Sequence, residues 1–194
     1  QNTLNSCIMG VSFLYYGELK MSEEIHMGKP LEVGMSLPEV IVPVRVDGDF
    51  VMLDTKEQFA DKRVILFGLP GAFTPTCSSQ QLPGFEKLFS QFQEKGIDEI
   101  YCVSVNDSFV MNAWFDGQGI ENVRPLPDGN GEFTHEIGAE CRKSNLGFGM
   151  RSWRYAVVAN NGIVEQVFIE EGYQDNAEND PYEVSTPENV LENL

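Results

Sequence analysis

Cysteine is scarce in this chain of 194 residues: there are four, Cys7, Cys77, Cys102 and Cys141, and no two form a Cys-x-x-Cys pair. So few, so irregularly spaced, they argue against a disulfide scaffold and for a reducing compartment such as the cytoplasm. Histidine is scarcer still, with His26 and His135 standing alone. The clustered ligands of a zinc site are therefore missing, and no metal is expected. Positive charge is also short, 13 Lys and Arg against 30 Asp and Glu for a net charge of −17. That balance speaks against nucleic acid or an anionic membrane surface as a partner. No apolar run reaches the ~18 residues expected of a membrane span. What is present, 42% hydrophobic and 22% charged residues, is the composition of one soluble globular domain with a core of its own.

Residues 1 to 27 read differently from the rest. They contain no arginine, no lysine before Lys20, and only the short apolar run Val11–Tyr16. A signal peptide would have a basic start, a longer apolar core and a small-residue cleavage site. The segment reads as a flexible extension or a remnant of expression, with Cys7 incidental, and the domain is expected over 28–194.

The chain is organised around Val64 to Cys77, VILFGLPGAFTPTC. Val64–Phe67 suits a strand buried on both faces. Gly68, Pro70-Gly71 and Pro75 break it. Leu82, Phe85, Leu88, Phe89 and Phe92 then recur every three or four residues, the spacing of an amphipathic helix that Gly96 would end. Cys77 thus stands between strand and helix, facing the positive pole of the helix dipole and its unpaired N–H groups, which favour a thiolate. Thr74 can bring a hydroxyl beside the sulfur. Taken alone, such a cysteine is as readily an inert core residue, and physical chemistry leaves both roles open.

Around this stretch the elements fall in a consistent order. Val40–Val46, Asp47-Gly48 and Phe50–Leu53 predict a hairpin, with Pro43 marking an edge strand or bulge. Thr55–Asp61 predicts a short helix capped by Thr55. Glu99–Val105 is the next strand, completing a right-handed βαβ unit. A helix begins at Phe109 and breaks at Gly117 and Gly119; Pro125–Gly131 reads as a loop and Thr134–Ser144 as a helix. Tyr155–Ala159 and Ile163–Phe168 form a hairpin about Asn161-Gly162, and Pro187–Leu194 is a short helix. Asp175–Asp180 reads as a solvated loop. No internal repeat is present. A βαβ unit, a helix and a β-hairpin follow the order of a thioredoxin-like α/β fold, a central mixed sheet flanked by helices, here with an N-terminal hairpin extension.

Arg154 stands just before the Tyr155 strand. That strand should run antiparallel to the Val64 and Ile100 strands, so its start lies at their carboxyl ends, beside the Cys77 loop. An arginine there can hold a thiolate by charge-assisted hydrogen bonds; read without the cysteine motif, a surface ion pair among thirty carboxylates is the favoured role.

The octet Pro70-Gly71-Ala72-Phe73-Thr74-Pro75-Thr76-Cys77 resembles the peroxiredoxin signature Pro-x-x-x-Thr-x-x-Cys, and with Leu82-Pro83-Gly84-Phe85 it is similar to the peroxiredoxin-5, or type II, subfamily. Arg151-Ser152-Trp153-Arg154-Tyr155 resembles the family's arginine motif. The segments PDGNGEF, LGFG and DPYEVS are most like the peroxiredoxin half of bacterial peroxiredoxin–glutaredoxin fusions. The resemblance spans about residues 30 to 194; no glutaredoxin half with a Cys-Pro-x-Cys motif accompanies it, so that half is either a separate protein or was cut away. One departure is Gln81, where many relatives carry histidine.

The resemblance implies a thiol peroxidase acting on hydrogen peroxide and alkyl hydroperoxides. Cys77 would be the peroxidatic nucleophile, with Thr74, Arg154 and Pro70 in the catalytic set and Arg151 and Thr76 in support. Neither a metal nor a bound cofactor is implied. The DPYEVS region has no resolving cysteine. Cys102, placed about four residues before its strand's end, would lie roughly 13 Å from the active edge at ~3.3 Å per residue, beyond the ~7 Å that a disulfide spans. Cys141, expected on a helix, is the other possible resolver. The favoured reading is a one-Cys enzyme whose sulfenic acid is taken by glutathione and released by glutaredoxin. The alternatives are a two-Cys thioredoxin-dependent peroxidase resolving through Cys102 or Cys141, or a non-enzymatic holdase or interaction module. A homodimer is implied for the assembly.

Overall fold

The computed structural model describes residues 31–194; the expectations for residues 1–27, Cys7 included, lie outside the described residues. The chain begins with a hairpin of β1 (Ile41–Val46) and β2 (Asp49–Asp54). Its turn residues Asp47 and Gly48 have φ of 50° and 92°, the left-handed pair that a two-residue hairpin turn needs. Among the described residues these strands pair only with each other, so Pro43 interrupts no central ladder.

The principal sheet has five strands: β3 (Arg63–Gly68), β4 (Glu99–Ser104), β5 (Arg124–Pro127), β8 (Tyr155–Asn160) and β9 (Ile163–Ile169). Their order is β5-β4-β3-β8-β9. β3, β4 and β5 run parallel, whereas β8 is antiparallel to both β3 and β9. The mixed sheet and flanking helices are the thioredoxin-like arrangement expected from the element order.

Side chains on β3 alternate between two cores, as a pleated strand requires. Val64 and Leu66 join Phe59, Tyr101, Phe133 and Val157 in one. Ile65 and Phe67 join Cys77, Phe85, Phe92, Trp114 and Val158 in the other. The second core is closed by α2 (Leu82–Glu94), α3 (Ser108–Gln118) and α5 (Pro187–Glu192). The first lies beneath the hairpin, α1 (Thr55–Phe59) and α4 (Glu132–Glu136). Phe67 and Phe85 stack at 4.2 Å between ring centroids and Phe85 and Phe92 at 5.7 Å; burying each ring is worth roughly 2 kcal/mol. This packing fixes α2, and with it the position of Cys77.

Several local expectations are corrected. Asp54, not Thr55, caps α1, accepting from Lys56 N–H at 2.9 Å; the buried Thr55 hydroxyl instead donates to the Pro38 carbonyl at 2.7 Å. The α3 helix runs through Gly117 and stops at Gly119, whose φ of 66° suits a left-handed cap. The Pro125–Gly131 loop begins with strand β5. No helix spans Thr134–Ser144: α4 ends near Ile137, Gly138 turns the chain at φ 78°, and β6 (Glu140–Arg142) pairs antiparallel with β7 (Met150–Ser152).

Candidate active site

The loop after β3 passes through the buried Pro70 and descends into a helix beginning at Pro75. Ser78 N–H donates to the Thr74 carbonyl at 3.0 Å, closing the first turn. The N–H groups of Thr76 and Cys77 precede that bond and belong to the first-turn donors without intrahelical partners. Residues Cys77–Gln81 are wound as a π-helix, and Leu82 N–H reaches back to the Cys77 carbonyl. A single π turn at a helix start recurs at functional sites. Here it widens the turn carrying Cys77 and brings Gln81 to the same buried face, where both are fully inaccessible.

Arg154 meets Cys77 from just before the neighbouring strand β8, at the same end of the sheet. Gly68 pairs with Tyr155 across β3 and β8, so the residue before Tyr155 lies over the loop that follows Gly68. Arg154 is 1% exposed, and its Nη1 donates to Cys77 Sγ at 3.5 Å and to Gln81 Oε1. Its Nη2 donates to Asp180 at 2.5 Å, and the guanidinium lies 5.5 Å from the ring centre of Tyr182. Burial alone would disfavour the charged guanidinium, yet Cys77 and Asp180 outweigh it and hold its proton more tightly than usual.

The remaining expected residues take varied positions. Thr74 Oγ1 donates to the Gly71 carbonyl at 2.8 Å, which leaves the oxygen's lone pairs facing outward from that bond; among the described residues it makes no hydrogen bond to Cys77. Thr76 adopts helical angles without a side-chain capping bond. Arg151 makes no hydrogen bond to the sulfur among the described residues. It donates to the carbonyls of Phe148 at 3.0 Å and Val105 at 3.1 Å and to Asn106 Oδ1 at 3.3 Å. That same Asn106 oxygen accepts from Ala72 N–H at 3.0 Å, so Arg151 braces the cysteine loop through Asn106.

Neither of the other described cysteines is bonded; Cys77, Cys102 and Cys141 are all free and buried. Cys102 pairs with Phe67 two residues from the end of β4 and shares the core of Cys77. It therefore lies about 7 Å from the strand end at ~3.3 Å per residue, not the 13 Å expected. Burial first, and the charge of Cys77 second, push its thiol well above the ordinary range. Cys141 lies on β6, not on a helix, in a separate cluster with Trp153 and Ala177, and burial pushes its thiol up to about 11.

Residue patterns alone did not reveal Asn106, Tyr182 or Asp180. Asp175–Asp180 in particular is not simply solvated. Asp175 accepts from Arg142 N–H at 2.7 Å, Ala177 is buried beside Trp153, and Asp180 reaches the buried arginine.

A buried cysteine in the first turn of a helix after a central β-strand, faced by an arginine, defines a thioredoxin-like thiol protein with a cationic site. Comparison narrows the class. The Redoxin family model matches residues 32–185. Peroxiredoxin y4vD of Sinorhizobium fredii is 61% identical over 140 residues, covering 72% of this chain and 74% of that protein. The hybrid peroxiredoxin of Haemophilus influenzae is 47% identical over 161 residues, covering 83% of this chain and 65% of that one. The crystal structure of the Plasmodium falciparum antioxidant protein, described as a 1-Cys peroxiredoxin, superimposes with a TM-score of 0.80 at 38% identity, covering 83% of this chain and 96% of that one. The chain belongs to the redoxin family and is a peroxiredoxin, a peroxidase, of the peroxiredoxin-5 or type II kind.

Proposed function

We propose that the protein is a one-Cys peroxidase in which Cys77 reduces hydrogen peroxide and alkyl hydroperoxides and glutathione with glutaredoxin regenerates it. The observation that carries this reading is Arg154 Nη1 lying 3.5 Å from Cys77 Sγ in a buried first helical turn. The thiolate attacks the terminal peroxide oxygen, an S–O bond forms as the O–O bond breaks, and the departing alkoxide or hydroxide takes a proton. Arg154 and the Cys77 N–H donate to the peroxide oxygens and stabilise their developing charge, and Thr74 Oγ1, its own proton given to the Gly71 carbonyl, accepts from the peroxide O–H and aligns it. Pro70 and Thr76 shape the loop, and Arg151 braces it. Cys77 is buried beneath the half-exposed Ala72–Thr76 loop, the side from which a peroxide approaches it. Glutathione then displaces water from the sulfenic acid to give a mixed disulfide, and a second thiol, on glutaredoxin, takes the glutathionyl group. No metal or bound cofactor enters these steps.

Two observations support the one-Cys reading over resolution within the chain. Cys102 and Cys141 are inaccessible, with thiols held protonated by burial. The Plasmodium relative is itself described as one-Cys, and the Haemophilus relative as a hybrid. Three free buried thiols also suit a reducing compartment such as the cytoplasm, and a homodimer is the expected assembly.

Peroxide consumption is measured with glutathione plus glutaredoxin and, separately, with thioredoxin plus its reductase, with mass spectrometry of Cys77 in each. Turnover in the first system and a glutathione adduct on Cys77 are expected, and both vanish in Cys77→Ser. Turnover with thioredoxin and a Cys77–Cys102 disulfide would replace this reading with the two-Cys one. Peroxide consumption that survived in Cys77→Ser would sink the nucleophile assignment.

A further inference from the structure

Arg154 is almost fully enclosed, and an enclosed cation needs a counterion, since removing the partner of a buried charge is strongly destabilising. On the catalytic reading above, on which the following rests, Cys77 can serve only part of the time. Its negative charge is present in the thiolate and absent in the sulfenic acid and in the mixed disulfide. Asp180 carries its charge through all of these states. Its carboxylate accepts from Nη2 at 2.5 Å, on the side of the guanidinium away from the sulfur-facing Nη1.

The segment bearing Asp180 is fastened on both sides. On one, Asn176 N–H donates to the Arg142 carbonyl at 2.6 Å and Asp175 accepts from Arg142 N–H. On the other, the buried Glu170 carboxylate accepts from Glu183 N–H and Ser185 N–H, both at 2.9 Å, and from the Ser185 hydroxyl at 2.7 Å. Glu170 N–H in turn donates to the Arg154 carbonyl at 3.1 Å. The strap is therefore rooted beside the arginine it covers. Tyr182 lies over the guanidinium, while the Asp180 side chain keeps 43% of its surface open to water. Solvent thus supports the aspartate's charge, and the protein directs it inward.

We propose that Asp180 is a positioning residue for the peroxidase reaction: it is the permanent counterion of Arg154 and, with Gln81, fixes the guanidinium so that Nη1 points at Cys77. The charged groups around the site are Arg154, Asp180, Glu170 and Glu188, with the titratable groups Cys77, Cys102, Cys141 and Tyr182 among them. Two anions share one cation in the thiolate state. Asp180 consequently moderates the pull of Arg154 on the sulfur as well as aiming it.

The test uses the full chain and three variants at Asp180, with Asp175→Asn as a control that removes a charge from the same segment without touching Arg154. Alkylation of Cys77 by iodoacetamide is followed by mass spectrometry across pH, and the rate with hydrogen peroxide is measured where alkylation is maximal. In Asp180→Asn the alkylation midpoint moves toward acid by about one pH unit, because the competing anion is gone. In Asp180→Ala the peroxide rate also falls about tenfold, because the guanidinium loses an anchor. Asp180→Glu restores both, and Asp175→Asn moves neither. An unmoved midpoint in Asp180→Asn, or an equal shift in Asp175→Asn, overturns the proposal. Wild-type Cys77 unreactive toward peroxide would instead overturn the catalytic reading, while the alkylation profile would still report on Asp180.

Discussion

Gly68 has no room for a methyl group: a Cβ built there would lie 2.1 Å from Cε1 of Tyr155. The two residues face each other across β3 and β8, and Tyr155 directly follows Arg154. Gly68→Ala should therefore overpack this corner, costing about 1–3 kcal/mol, and should push the arginine away from Cys77. A lower denaturation midpoint together with a reduced kcat/KM for peroxide is the expected pair of results; an unchanged midpoint would mean that the corner yields freely. At this scale the sequence was most informative where chemistry is local. Cys77, Thr74 and Pro70 sit in one octet, and Arg154 adjoins a strand whose direction the hairpin pattern implied. Gln81 stood out only as a departure from relatives, and its bond to Arg154 depends on the π turn. Asp180 was hidden in a polar run because its partner lies 26 residues away and no periodicity links them.

The α2 helix is tied to the loop after α3 by one side chain, Glu86. Its carboxylate accepts from the N–H groups of Glu121, Asn122 and Val123 and from Asn122 Nδ2 at 2.7 Å. Burial pushes this carboxyl up, but the hydrogen bonds outweigh it and the net direction is down. A carboxyl lowered on folding contributes stability above its unfolded value of about 4.3, and that contribution is lost as pH falls through the lower folded value. Glu86→Gln should thus lower Tm at pH 7, while the gap from wild type narrows below about pH 4. Thermal unfolding at both pH values checks this; a constant gap would show that the carboxylate's charge is irrelevant. Elements with their own periodicity and turn residues were legible, as in β3, β4, α2 and both hairpins. The Thr134–Ser144 region was not: its apolar spacing fits a helix, but Gly138 and pairing with Met150–Ser152 override it. Likewise β5 contains Pro125 and Pro127, which read as a loop, and it exists because the edge of β4 receives it.

Across the whole molecule, a net charge of −17 sets surface repulsion against a buried site that holds its own charges in close pairs. The two respond differently to salt. Exposed like charges repel over a Debye length that shrinks from about 30 Å at 0.01 M to about 8 Å at 0.15 M, and self-repulsion destabilises the compact state. Arg154 is enclosed and its bond to Cys77 lies inside the protein, so mobile ions screen that contact little, and only the outer side of Asp180 meets them. Hydrogen peroxide carries no charge to be steered. Raising salt across this range should therefore raise Tm by a few degrees, as repulsion among the 30 acidic residues weakens, while the peroxide rate constant at Cys77 stays within about twofold. Thermal unfolding and stopped-flow peroxide reduction at the two salt concentrations test both halves. A peroxide rate that fell steeply with salt would mean that the Arg154 environment opens to solvent during turnover, with Asp180 and Tyr182 lifted from the guanidinium. A rate that held while Tm rose would separate the surface, which governs solubility and stability, from the enclosed arginine and thiol that govern the chemistry.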